Sequence, residues 1–166
     1  FKEGQSFLCT TLSPALPYAL FDRSVSCASE VEQFNGNMVF EGIIANAKAA
    51  LKQGVPVALG NDVGCPWITQ YDFWRELRYF EKYVGVSRSF ALHTATLRNA
   101  QLAGIDDITG SIEVGKEADM IVTIDNPLDD LRALRTVKHV IHRGQLIAKP
   151  RVKRKAVVDR ELDKFL

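Results

Sequence analysis

The sequence predicts an α/β fold, and three observations carry that prediction. Val55-Pro56-Val57-Ala58-Leu59-Gly60 is a short apolar, partly β-branched run that ends in glycine. It reads as a strand buried on both faces, the kind found in parallel sheets. A helical pattern from about Asn37 to Gln53 leads into it, and Gly54 stands where a helix is closed. A second β-prone run, Phe7 to Leu12, precedes that helix. Strand, helix and strand make a βαβ unit, which crosses over right-handed.

The carboxyl end of the second strand holds the leading candidate for chemistry. Gly60-Asn61-Asp62-Val63-Gly64 places a carboxylate just beyond the strand. In open α/β sheets and closed barrels alike, functional residues collect at that end. Asp62 has a plainer reading as well, since Asp commonly caps turns.

Taken in order, the elements follow from local chemistry. Ser13-Pro14-Ala15-Leu16-Pro17 interrupts regular structure, because two prolines remove donors and fix φ. The segment from Ser13 to about Glu30 is long for a βα connection, and long connections are often functional. Its Tyr18, Phe21, Asp22 and Arg23 either line a substrate pocket or form a lid packed by its own aromatics. In the helix from Asn37 to Gln53, Val39, Ile43, Ala47 and Ala50/Leu51 make one apolar face, and Lys48 and Lys52 suit its final turns. Cys65-Pro66-Trp67 makes a turn. Tyr71 to Tyr83 is helical, with Phe73/Trp74, Leu77, Phe80 and Val84 on one face and the charged residues Asp72, Arg75, Glu76, Arg78, Glu81 and Lys82 mostly elsewhere. Gly85 ends it. Ser87 is a plausible N-cap for a helix from Arg88 to about Ala103, with a break expected near Thr94 to Thr96 and Gly104 closing it.

Beyond about Ile108 the style of the chain changes. Gly110 to Asp119 is rich in turn formers, and Met120 to Asp125 reads as a strand. Asn126 to Asp130 is a turn that opens a helical turn through Leu134. Val137 to His142, Arg143-Gly144 and Gln145 to Ala148 read as strand, tight turn and hairpin partner. These are small antiparallel pieces, so a domain boundary is placed near Ile108. The tail, Lys149 to Leu166, is a short basic run followed by a helical pattern from Val157, and the run reads as a solvated linker.

Composition narrows the function classes. A chain of 166 residues that is 46% hydrophobic and 25% charged is ordinary globular protein. A formal net charge of +1 gives no argument for nucleic acid. No apolar run approaches the roughly 18 residues of a membrane span. Phe1-Lys2-Glu3-Gly4 follows no initiator methionine and does not read as a signal peptide, so the chain is expected to be a piece of something longer. Cys9, Cys27 and Cys65 are too few and scattered for a disulfide framework, which favours reduced thiols and a cytoplasmic setting. Cys65 reads as a packed thiol near the Asp62 turn.

Three stretches together resemble a known family. Val57 to Gly64 is similar to the strand-eight turn of metal-dependent amidohydrolases. Ala95 to Ala100 with Leu102-Ala103-Gly104 resembles the helix that follows their barrel. Gly110 to Val122 with Asn126-Pro127-Leu128 resembles their return into a small β-sandwich. The imidazolonepropionase-like and Xaa-Pro dipeptidase-like branch is the most similar. The resemblance implies a (β/α)8 barrel, with residues 1–108 its carboxyl-terminal portion from about strand seven, 109–148 strands of a composite β-sandwich, and 149–166 a basic linker and terminal helix. It implies one or two divalent metals, commonly zinc, and a small amide, cyclic amide or dipeptide as substrate. The family's metal-binding and proton-transferring aspartate falls on Asp62. No nucleic-acid or membrane partner is implied. Association with the missing N-terminal part, or with a second copy, is expected.

This sequence departs from the family at two points. Asn61 stands where threonine usually precedes the aspartate. The family's His-x-His pair, its bridging lysine or acid and its later histidines have no counterpart, and a catalytic zinc needs about three protein ligands. His93 lies in a helix well after the site. His139 and His142, three apart on a strand, point to opposite faces. All three are rejected as ligands, and the isolated chain is expected to be inactive.

Overall fold

The computed structural model describes residues 6–166, and the reading of the first four residues falls outside them. Two sheets organise the chain. β1 (Leu8–Thr10) and β2 (Val57–Leu59) pair in parallel, with Leu8 opposite Val57 and Thr10 opposite Leu59. β3 (Met120–Thr123), β4 (Val137–His142) and β5 (Gln145–Ile147) form an antiparallel sheet in that order. The mixed α/β class is therefore as expected.

The connection between β1 and β2 differs from its reading at both ends. Pro14 and Pro17 do not break regularity. They sit at the start of α1 (Ala15–Leu20), where backbone donors lack helical partners in any case, so proline costs nothing. α2 (Arg23–Ser26) follows, its amino end capped by Asp22, which accepts from the Ser24 amide at 2.8 Å. α3 (Glu30–Lys52) begins seven residues earlier than its apolar face suggests. Ser29 and Glu32 make a reciprocal capping box that starts it, a pattern of serine and glutamate three apart that is legible in the chain. Phe40 and Ala47 are its buried residues. Gly54, at φ +71, follows the helix end as expected.

α4 (Phe73–Tyr79) runs on into a wider π turn, Phe80–Val84, which Gly85 closes at φ +88. Ser87 caps α5 (Arg88–His93). The expected break near Thr94 is a second π turn, Thr94–Arg98, leading into α6 (Asn99–Ala103). Thr94 and Thr96 each donate a side-chain hydrogen bond of 2.8 Å to the carbonyl four residues back. Such bonds compete with the helical ladder and widen it rather than end it. A 3-10 turn spans Leu131–Arg135. Arg143 and Gly144, both at positive φ, make the β4–β5 turn, which suits a two-residue hairpin.

The core gathers around the parallel pair. Val57 and Leu59 pack with Leu12, Leu16, Phe40, Leu77, Phe80 and, from α7 (Ala156–Asp163), Leu162. α4 carries the main correction. Its charged residues are expected mostly off the apolar face, yet of these Asp72, Arg75 and Glu76 are buried. The reason is that α4 is enclosed on two sides, by the β1–β2 region and by α7. Arg75 reaches Asp72 at 3.1 Å, Asp159 at 3.2 Å and Asp163 at 2.7 Å, and so ties the terminal helix to α4. The basic linker is not wholly solvated either. Arg154 donates to the Arg135 carbonyl at 2.9 Å and lies over the Tyr71 ring.

Candidate functional site at the end of β2

The strand that leads to Asp62 alternates cleanly. Val57 and Leu59 belong to the core, while Ala58 and Gly60 fall on the other side. Gly60 must be small. A Cβ there would stand 3.1 Å from Thr11 Oγ1 and 3.2 Å from Cys9 Sγ. Cys9, Thr11 and Gly60 thus share one side of the parallel pair, and Cys9 is exposed on it.

The end of β2 is held by a distant side chain. Asn99 Oδ1 accepts from the Leu59 amide and Asn99 Nδ2 donates to the Leu59 carbonyl, both at 2.9 Å. One amide thereby satisfies both main-chain groups of Leu59 that β1 leaves free. Asn61 is buried, and its Nδ2 has no protein partner among the described residues. It borders a cavity of about 10 Å³ that Ser13, Asp72, Arg75 and Tyr79 also line. The Tyr79 hydroxyl is likewise unpartnered, and burial raises its pKa. A space of that size, lined by polar groups, takes about one water.

Asp62 follows at φ +53, a left-handed conformation that Asp and Asn tolerate better than other side-chain-bearing residues. Its side chain is exposed. Cys65 closes the turn on it: the Cys65 amide donates to the Asp62 carbonyl, and Cys65 Sγ donates to Asp62 Oδ2, each at 3.2 Å. The hydrogen bond to the carboxylate raises the Cys65 thiol pKa. The turn contact of Asp62 therefore exists, and it leaves the carboxylate open to solvent.

The loop after β1 lies against this turn. Phe21 is buried and packs edge-on against Trp67 with ring centroids 5.1 Å apart, and it stacks on Phe165 at 5.4 Å. Glu76 pins the loop's start, accepting from the Leu12 amide at 2.6 Å and the Ser13 amide at 2.8 Å. Complete burial raises the Glu76 pKa to about 7 against these three-donor contacts, the third from the Ser13 hydroxyl. Glu76 and Asn99 were not foreseen as supports of the site. Their partners Leu12, Ser13 and Leu59 lie 64, 63 and 40 residues away, so no local pattern announces them.

The histidines lie elsewhere. His139 Nδ1 contacts the Ala148 carbonyl and His142 Nδ1 contacts Asp119 Oδ1, both at 2.9 Å. His93 borders a groove between α6 and β3. Among the described residues no three His, Cys, Asp or Glu side chains gather as a metal would need. Asp62 with Cys65 offers one carboxylate and one thiol, short of the three ligands a catalytic zinc requires. These residues alone do not make a metal centre.

Comparison with known proteins shows the family of the chain. The sequence profile described as "Amidohydrolase family" matches residues 9–147, which include β2, the Asp62 turn and all but the first residue of β1. A 5-methylthioadenosine/S-adenosylhomocysteine deaminase of Teredinibacter turnerae is 37% identical over 89 residues, covering 49% of this chain and 20% of that protein. An imidazolonepropionase of Thermoplasma volcanium is 26% identical over 105 residues, covering 61% and 26%. Among solved structures, a prolidase candidate from Bifidobacterium longum superposes with a TM-score of 0.92 at 41% identity, over 96% of this chain and 39% of that one. A Xaa-Pro dipeptidase with bound methionine superposes with a TM-score of 0.76 at 28% identity, over 89% and 36%. The chain thus spans a quarter or less of the first and about a quarter of the second curated relative, and under two fifths of either structure. With a family profile covering most of its length, the chain belongs to the amidohydrolase family.

Proposed function

We propose that this chain is the carboxyl-terminal part of a metal-dependent hydrolase that cleaves a C–N bond in an amide, cyclic amide or dipeptide. β1 and β2 serve as strands seven and eight of a (β/α)8 barrel within residues 1–108. Residues 109–148 contribute strands to a small β-sandwich, and 149–166 form a linker and closing helix. One observation carries the reading: Asp62 stands exposed just beyond the carboxyl end of a parallel strand, inside the stretch that matches the family. Barrel enzymes gather their reacting groups at that end.

A divalent cation, with zinc the first choice, supplies the acidity that brings the pKa of a water to about 7. Among the described residues Asp62 is the one ligand, and the others come from polypeptide that pairs with the open strand edges. The Asp62 carboxylate takes the proton of the attacking water and hands it to the leaving nitrogen. Asn99 and Cys65 fix the strand end and the turn from which it acts. The chain alone is inactive on this reading.

The test uses the protein as its gene encodes it, assayed on a panel of Xaa-Pro dipeptides, N-acyl amino acids and cyclic amides. Hydrolysis that disappears on chelation, returns with zinc and is abolished by Asp62→Asn supports the proposal. An Asp62→Asn protein with undiminished turnover overturns it. A second reading, a non-catalytic association module, draws on the outer edge of β1, which has no strand partner among the described residues. Under it, the chain binds the polypeptide that completes the barrel, and no hydrolysis appears under any metal.

A further inference from the structure

Helix α3 carries two apolar stripes. Phe40, Ile44, Ala47 and Leu51 recur at steps of three and four and pack into the core. Val31, Phe34, Met38, Gly42, Ala45 and Ala49 recur in the same way. At about 100° per residue the second stripe falls on the opposite side of the helix. Val31, Phe34 and Met38 are 67%, 63% and 61% exposed. Ala45 and Ala49 are exposed too.

On the barrel reading proposed above, completing the sheet leaves this outer stripe uncovered, because the helices of such a barrel form an outer ring. Further strands extend the plane of β1 and β2, and their helices meet α3 along its sides, where Val39 and Ile43 border a groove with α1. The outer stripe points away from all of that.

We infer that the complete protein forms a two-fold dimer in which the outer face of α3 packs antiparallel against the same face of a second copy. The face is complementary to itself in that arrangement alone. Its amino half is large, with Val31, Phe34 and Met38, and its carboxyl half is small, with Gly42, Ala45 and Ala49. A two-fold axis near residue 40 sets Val31 over Ala49, Phe34 beside Ala45 and Met38 over Gly42. Large side chains then enter the gaps over small ones, as close helix packing requires. Charge is polarised the same way along one flank. Glu30, loosely paired with Arg23 at 3.8 Å, lies at one end, and Lys48 and Lys52 at the other. The antiparallel two-fold brings Glu30 beside the partner's Lys52, with the helix dipoles opposed. Glu41 lies on that flank near the axis, so the two copies of it approach each other. A parallel pair would set large against large and small against small, and would separate Glu30 from the partner copy's lysines.

Sedimentation equilibrium on the protein as its gene encodes it tests this. The wild type is expected to be a dimer or a higher even-numbered oligomer. The Phe34→Glu/Met38→Glu variant is expected at half the wild-type mass, with unchanged circular dichroism. Lys52→Glu alone weakens association about three- to tenfold, since the pair recurs twice per dimer. Adding Glu30→Lys restores it, and Glu41→Gln tightens it. These last substitutions are on exposed residues, so they report even if the double glutamate variant fails to fold. A wild-type monomer overturns the inference. So does an unchanged mass in the double variant, or a Glu30→Lys/Lys52→Glu protein no tighter than Lys52→Glu. None of these outcomes bears on the role of Asp62.

Discussion

The Ser13 hydroxyl and the Glu76 carboxylate, 63 residues apart in sequence, meet in a 2.5 Å hydrogen bond inside the protein. With the Leu12 and Ser13 amides, it makes Glu76 the clasp between α4 and the loop that leaves β1. Burial raises its pKa to about 7 from an ordinary 4.5. The folded state therefore holds a proton that the unfolded chain gives up between those values. Stability from this group is full below pH 4.5 and declines as pH rises through about 7. The span corresponds to something on the order of 3 kcal/mol. Melting temperature is expected to fall between pH 5 and pH 8, and Glu76→Gln, which cannot titrate, is expected to flatten that part of the profile.

Asp62→Asn separates chemistry from folding. Asn tolerates the left-handed backbone, and among the described residues the lost carboxylate has the Cys65 thiol as its one side-chain partner. In the complete enzyme, turnover is expected to fall about 10²- to 10⁴-fold, the range for loss of a positioned proton-transfer group. The unfolding midpoint should move little. Asp62→Val, whose β-branch resists positive φ, should lower that midpoint as well.

Asn99→Ala removes both hydrogen bonds to Leu59 and leaves its amide and carbonyl unpaired beside the core. Each orphaned buried group costs about 1–3 kcal/mol. Urea denaturation is expected to show a loss of about 2–4 kcal/mol. Asn99→Asp, which keeps the acceptor and loses the donor, should fall between the two.

Arg75→Met strands Asp72, Asp159 and Asp163 around a buried site. Breaking one side of such a network costs about 3–5 kcal/mol. Limited proteolysis should then cut between residues 149 and 155, in the linker that leads to α7. The same network has an acid limit. Burial pushes the Asp163 pKa up, but hydrogen bonds from Arg135 and Arg75 outweigh it and leave the value below the ordinary 3.8. Its contribution is present above that ordinary value and is lost as pH falls through the lower folded one. Cleavage of the wild-type linker should accordingly rise as pH falls through the acid range.

What the chain determined by itself was local. Short-range signals are enough for the apolar run into Gly60, the Ser87 cap, the Arg143-Gly144 turn and the position of Asp62 beyond a strand, because each depends on neighbouring residues and their φ preferences. The start of α3 was legible too, in Ser29 and Glu32, although the core-facing periodicity pointed to Asn37. Tertiary structure decided which polar groups are inside. Glu76, Arg75 and Asn99 look like ordinary helix-surface residues until α7, the β1 loop and Leu59 are brought against them from 40 to 84 residues away. A helix enclosed on two sides has no solvent face to give its charges, so they are paired, and no periodicity within the helix announces which partners will arrive.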